Sequence, residues 1–146
     1  MALLNIFNIA GSGMSAESVR LNTVASNLAN ADSVSSSADT AYKARYPVFQ
    51  AVRASLMSPG SATGDQTQGA DAAVHVSSIV QTTAPGTARY EPGNPLADAN
   101  GYVYSSNVNV VEQMADMISA SRSYQNNVEV LETSKQLMLD TLKLGS

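Results

Sequence analysis

Apolar positions at both ends of the chain repeat with a helical period. Near the N-terminus Phe7, Met14, Leu21 and Leu28 recur every seven residues, and Ala10, Val24 and Ala31 stand three positions beyond three of them. At about 100° per residue, Leu3, Ile6 and Ala25 join the same face. The pattern predicts a helix over 5–30 with a seam of coiled-coil type. Its polar face is Ser and Asn, and between Leu4 and Ala31 only Glu17 and Arg20 are charged. Glu17 falls inside the apolar arc, and Gly11 and Gly13 each cost about 1 kcal/mol relative to Ala in a helix interior. Such a helix is expected to be marginal alone and firm only when packed.

A second helix is predicted over 110–144. Asn109 is placed to cap it, with Glu112 three residues on, and no Gly or Pro interrupts it before Gly145. It would be about 52 Å long against about 39 Å for the first, so the two cannot cover each other fully. Its apolar face also moves. Val110, Met114, Met117, Ile118 and Tyr124 share one side, the side expected to face the chain's own N-terminal helix. Val130, Leu137 and Leu144 lie roughly opposite, bordered by Leu131, Met138 and Leu142. A helix apolar nearly all round must be buried, and one partner helix cannot do it. Neighbouring chains are expected to cover the remainder.

The middle reads as β structure and loops. Asp32 to Ala41 is a polar connector. Tyr42, Ala44 and Tyr46 alternate before Pro47 and predict a short or edge strand toward Ala54. Ser58 to Asp71 carries Pro59, Gly60, Gly64 and Gly69 and reads as a loop. Val74, Val76 and Val80 predict a second strand, and Tyr102 to Tyr104 a third after a turn-rich stretch from Pro85 to Pro95. This is too little to bury a large independent core.

Composition sharpens the expectation of assembly. Only 14% of the 146 residues are charged, against roughly 25% in a typical soluble domain. A net charge of −4 leaves no basic surface for a phosphate backbone, so nucleic acid is not expected as a partner. Without cysteine there is no disulfide, thiolate or Cys-zinc chemistry, and one histidine cannot build a multi-histidine metal site. His75, between Val74 and Val76, reads as a solvent-facing strand residue. Glu91 and Asp98 read as solvated loop carboxylates, and Gly11-Ser12-Gly13 lacks the strand and lysine of a nucleotide motif. No catalytic, cofactor or metal site is expected. No apolar run reaches the length of a membrane span, and the N-terminus does not read as a cleavable secretory signal.

Three stretches carry a resemblance. Residues 6–33, IFNIAGSGMSAESVRLNTVASNLANADS, resemble the N-terminal signature of flagellar rod and hook proteins, and residues 107–145 resemble their C-terminal helix. Residues 90–109, YEPGNPLADANGYVYSSNVN, are similar in particular to the C-type proximal-rod subunits of that family. The Ser- and Gly-rich loops at Val34–Thr40 and Gly60–Asp71 match nothing diagnostic.

The resemblance implies a structural subunit and no enzyme. Such subunits pass unfolded through the flagellar type III export apparatus and polymerise in the periplasm, their terminal helices lining a torque-transmitting rod. Implied partners are other rod and axial proteins, further copies of the chain, basal-body ring or adaptor proteins and the export apparatus. The expected fold is mainly α, an antiparallel pair of long terminal helices with a small β-rich insertion. Residues 1–31 and 107–146 would form the helical core and 32–106 the insertion. The expected assembly interface is Phe7, Met14, Glu17, Leu21, Val24, Leu28, Val130, Leu131, Leu137, Met138, Leu142 and Leu144. Helical assembly needs contacts that do not close, with different patches on each side of the subunit, and a helix whose apolar face shifts along its length supplies two. Two other readings stand beside this one: a B-type proximal-rod subunit, and a secreted peptidoglycan-acting enzyme or adaptor using Glu91 and Asp98.

Overall fold

A computed structural model describes residues 2–53 and 72–144; the loop expected over Ser58–Asp71 lies outside them. The fold is mainly α. Helix α1 spans Ala2–Ala29 and helix α2 spans Val110–Leu144, both close to the lengths their periodicities require. Asn109 caps α2, its Oδ1 accepting from the backbone N–H of Val111 at 3.1 Å and of Glu112 at 3.4 Å. At the end of α1 the Asn30 side chain donates to the Ser26 carbonyl at 2.8 Å, and the Ser33 hydroxyl donates to the Asn30 carbonyl at 2.7 Å. These bonds close the last turn without a glycine.

The insertion holds two small antiparallel sheets. Strands β2 (Arg45–Arg53) and β3 (Ala72–Gln81) form a two-stranded ribbon, pairing Arg45 with Gln81 and Val52 with Ala73, with a bulge between Val48 and Phe49. The second sheet has the order β1-β5-β4, from Val34–Ser35, Tyr102–Ser105 and Ala88–Tyr90. Strands β1 and β4 were not predicted. At two and three residues they have no period of their own, and they exist because β5 offers an edge on each side. Val103 in the middle of β5 is fully buried.

The turn from Glu91 to Tyr102 is organised by Asp98. Its Oδ1 accepts from the backbone N–H of Asn100 at 2.8 Å and of Tyr102 at 2.9 Å. Its own N–H donates to the Tyr102 carbonyl at 2.8 Å. Gly101 has φ +81°, a backbone that side chains resist, and a Cβ there would stand 2.9 Å from the Tyr90 ring. The Tyr90 and Tyr102 rings meet edge-on at 5.3 Å.

Gly86 faces a harder limit. A Cβ at this position would lie 1.8 Å from the backbone oxygen of Ser105, and no rotamer relieves a clash with main chain. Gly86→Ala is therefore expected to destabilise the folded chain by about 3 kcal/mol or more. Gly11→Ala, which meets nothing within 4 Å, should stabilise it by about 1 kcal/mol through helix propensity. Urea unfolding of the two variants should move the midpoint in opposite directions; equal midpoints would contradict both assignments.

Candidate assembly surface

The interior is made of small side chains. Among the described residues the buried apolar positions are Ala10, Ala16, Ala41, Ala44, Ala120, Val24 and Val103. The larger apolar residues are mostly outside. On α2 alone Val111 is 76% exposed, Ile118 57%, Leu137 55% and Leu142 66%. On the ribbon Tyr46, Val48, Phe49, Val52, Ile79 and Val80 are all exposed. Burying a side chain of this size is worth about 1.5–3 kcal/mol, and here that gain is left unrealised within one chain.

What joins α1 to α2 is largely polar. Arg20 Nη2 donates to Asp116 Oδ1 at 2.8 Å, and Arg20 Nη1 stands 3.8 Å from Glu17 Oε2. The Glu17 carboxylate is thus partly neutralised inside the chain, although its Oε2 accepts no hydrogen bond. Asn27 Nδ2 donates to Gln113 Oε1 at 2.8 Å, with both residues fully buried. Between these levels and the helix ends, a Cβ on Gly13 would stand 2.9 Å from the Asn127 amide nitrogen. The helices therefore approach closely there.

On α1 the contact row is Gly13, Arg20 and Asn27. Phe7, Met14, Leu21 and Leu28, one residue further along and so about 100° around the helix, are half-buried on its flank. Val24 is buried. On α2 the inward row is Gln113, Ala120, Asn127 and Ser134, spaced by seven; Gln113, Ala120 and Ser134 are buried and Asn127 half-buried. The expectation that the Val110–Tyr124 side faces α1 is corrected: Val110, Met114, Ile118 and Tyr124 are exposed, and of that set only Met117 is half-buried. Small and amide residues carry the seam, and a search for apolar repeats does not register them. The seven-residue spacing of Gln113, Ala120, Asn127 and Ser134 was the signal available.

Of the remaining candidates, Val130, Leu137 and Leu142 are exposed, while Leu131 and Met138 are half-buried. Leu144 ends α2, and its side chain lies outside the description. The Val130 stripe borders a notch of about 410 Å³ lined by Ile6, Asn126, Glu129, Val130, Thr133 and Ser134. A second hollow of about 500 Å³ lies between α1 and the ribbon, lined by Val19, Thr23, Arg45, Ile79 and neighbours.

Two asparagines dock the insertion in a way the sequence pattern did not reveal. Asn27 treats Arg45 as a strand partner: its Oδ1 accepts from the Arg45 N–H at 2.9 Å and its Nδ2 donates to the Arg45 carbonyl at 2.8 Å. The Tyr42 hydroxyl adds a bond to the same Oδ1 at 3.0 Å. Asn107 does likewise between two strands' approaches, accepting from Ala44 N–H at 2.8 Å and donating to the Ala84 carbonyl at 2.6 Å. At the other end of the ribbon the Val74 N–H donates to Ser12 Oγ at 3.1 Å.

The Glu91 and Asp98 carboxylates are engaged in structure. Asp98 holds its turn, and Glu91 accepts from Asn94 at 3.0 Å and pairs with Arg89 at 2.5 Å. The Asn94 hydrogen bond, followed by that of Arg89 and its charge and partly offset by desolvation, holds the Glu91 carboxyl below its ordinary 4.5. A depressed folded value means Glu91 stabilises the fold above the unfolded carboxylate range, and this is lost as pH falls through the folded value. Glu91→Gln should accordingly show a shallower loss of thermal midpoint on acidification below about pH 4.5 than the native chain; parallel curves would contradict the pairing. Although the Tyr46 side chain is exposed overall, partial desolvation of its hydroxyl, helped by the charges of Glu112 and Asp116, pushes it above its ordinary value. His75 is exposed on β3, and among the described residues no group of acidic or histidine side chains is placed to hold a metal. No described helix is long and apolar enough to cross a membrane.

Comparison with known proteins gives the family. Residues 7–35 match the family described as "Flagella basal body rod protein", and residues 99–144 match "Flagellar basal body rod FlgEFG protein C-terminal". Over 145 residues, covering 99% of both chains, the sequence is 55% identical to the flagellar basal-body rod protein FlgC of Salmonella typhimurium. It is 54% identical to that of Escherichia coli O157:H7 and 52% to that of Yersinia enterocolitica over the same span. The chain belongs to the FlgC family of flagellar basal-body rod proteins.

Proposed function

We propose that the chain is a structural subunit of the proximal rod of the bacterial flagellum, a non-enzymatic element of a torque-transmitting shaft. One observation carries the reading: the large apolar side chains of α2 and the ribbon are exposed while the interior is mostly alanine. Assembly is the process that would bury them. In this reading α1 and α2 form an antiparallel pair of coiled-coil type. Contacts support it, because partners climb from Gln113 through Asp116 to Asn127 as α1 is followed back from Asn27 through Arg20 to Gly13. Residues 1–31 and 107–146 form the inner tube, and residues 32–106 lie outside it.

The subunit interface centres on Val130, Leu137 and Leu142, with Leu144 beyond them. Phe7, Met14, Glu17, Leu21, Leu28, Leu131 and Met138 lie half-buried along the flanks of the helix pair, and Val24 is buried within it. Neighbours are copies of the chain and other rod and axial proteins, with ring or adaptor proteins outside. The chain reaches the periplasm unfolded through the flagellar export apparatus.

The cysteine-free sequence makes a direct test possible. Leu137→Cys, expressed in motile cells, should form disulfides or short bifunctional cross-links to neighbouring subunits in purified basal bodies. Absence of the chain from basal bodies would refute the assignment. So would a glycan-cleaving activity that disappears in Asp98→Asn with Glu91→Gln.

A further inference from the structure

The two helical rows that meet in this fold do not by themselves select one alignment. Gly13, Arg20 and Asn27 recur every seven residues, and so do Gln113, Ala120, Asn127 and Ser134. A slip of one heptad, about 10.5 Å along the axis, replaces one small residue by another along most of the seam. Exchanging Asn127 for Ala120 or Ser134 opposite Gly13 leaves a close approach still feasible. The Arg20–Asp116 pair is roughly a third exposed on the Asp116 side, and partly exposed ion pairs contribute little, so it discriminates weakly. The apolar content is too low, and too evenly spaced, to do better.

Among the contacts of the seam itself, one does not survive a slip. Asn27 and Gln113 are both fully buried, and their 2.8 Å bond joins the helices directly. Moved by a heptad in one direction, Asn27 faces Ala120, and the amide N–H that met Gln113 loses its acceptor while the other keeps the Arg45 carbonyl. Moved in the other, Gln113 faces Arg20. Unpaired buried amides are costly, and a single buried polar pair in a repetitive seam is a means of fixing register. Asn27 is also bound to the backbone of Arg45, so one side chain joins the register of the helices to the seat of the β2–β3 ribbon.

We infer that Asn27 and Gln113 are the register-determining pair of this subunit. Neither is an assembly contact, yet together they set the level at which the exposed stripe of α2 stands relative to α1 and the ribbon. They are positioning residues for polymerisation. The inference rests on the antiparallel reading of the helix pair.

Disulfide trapping in the full-length chain tests it. Gly13→Cys with Asn127→Cys reports the observed register, Gly13→Cys with Ser134→Cys reports a slip one way, and Gly13→Cys with Ala120→Cys the other. In the otherwise native chain only the first pair should link within one molecule; if it does not link, the antiparallel reading itself fails. In Gln113→Leu, which leaves the Asn27 bonds to Arg45 in place, linkage in a slipped pair should rise by about tenfold or more. Helix content should be retained, while rod assembly is lost despite normal export. Adding Ala120→Gln to Gln113→Leu re-supplies the amide one heptad away and should move the dominant linkage to the Ser134 pair.

A merely structural role would shift the unfolding midpoint and leave the linkage pattern alone. Exclusive linkage at Asn127 in folded Gln113→Leu would therefore overturn the inference. If Gln113→Leu loses its helices, Gln113→Met is measured in the same way. Loss of helix in both would make the pair a requirement for folding rather than for register, which also overturns it.

Discussion

Leu137→Asp is expected to abolish swimming while leaving the subunit exported and its monomeric fold unchanged. Leu137 is 55% exposed in the single chain, so the carboxylate costs the monomer no more than about 0.5 kcal/mol. In the rod the same position would be covered. There the variant loses about 1.5–3 kcal/mol of leucine burial, and an uncompensated buried carboxylate adds several kcal/mol more. Every subunit repeats that penalty at each contact, so growth stops. Glu132→Gln, an exposed residue on the same helix, should be nearly silent. Motility on soft agar would be read together with the amount of subunit exported and the unfolding midpoint of the purified chain. Normal swimming by the Leu137→Asp strain would place this face in water and undo the interface built on it.

Asn27→Ala should produce the largest loss of monomer stability among single side-chain truncations. The amide makes four hydrogen bonds: two with the Arg45 backbone, one with Gln113 and one with Tyr42. Its removal leaves the Arg45 N–H and carbonyl and the Gln113 oxygen without their partner. The expected loss is about 3–5 kcal/mol, a large part of the 5–15 kcal/mol typical of a whole domain. Asn27→Asp is nearly isosteric but turns an oxygen toward the Arg45 carbonyl and Gln113 Oε1. It should therefore be comparably damaging, which separates hydrogen bonding from volume. Exposed Asn22→Ala should shift urea midpoints little. A loss below about 1 kcal/mol for Asn27→Ala would mean that water replaces the amide and that the network is not structural.

The sequence disclosed the elements better than their contacts. Both long helices, the ribbon strands and β5 follow from periods of 3.6 and 2 and from Asn109 as a cap, because these signals are local. Strands β1 and β4 have no local signal, since each is defined by an edge of β5 far away in sequence. The helix seam on α1 lies about one position from the apolar repeat, because hydrophobicity marks Phe7, Met14, Leu21 and Leu28, whereas close approach requires Gly13 and amides. On α2 the same bias drew attention to Met114 and Ile118, which face outward. Residues meant for a neighbour and residues meant for the chain's own interior look alike in an apolar pattern. A chain that completes its core only in assembly carries more of the first kind.

The bonds that close the helix pair also span well over half of the chain. Asn27 and Gln113 are 86 residues apart, and Arg20 and Asp116 are 96. Closing loops of that length is entropically costly and slow compared with forming local turns. If the chain is delivered end first through a narrow passage, as proposed, it makes neither bond until both ends have emerged. During that interval the β5 turn, whose contacts are local, is free to form, while the two helices remain unpaired. The growing end of a filament would then be met by a subunit whose apolar stripes are already available and whose internal pairing is the last event, so that folding and docking compete on the same timescale.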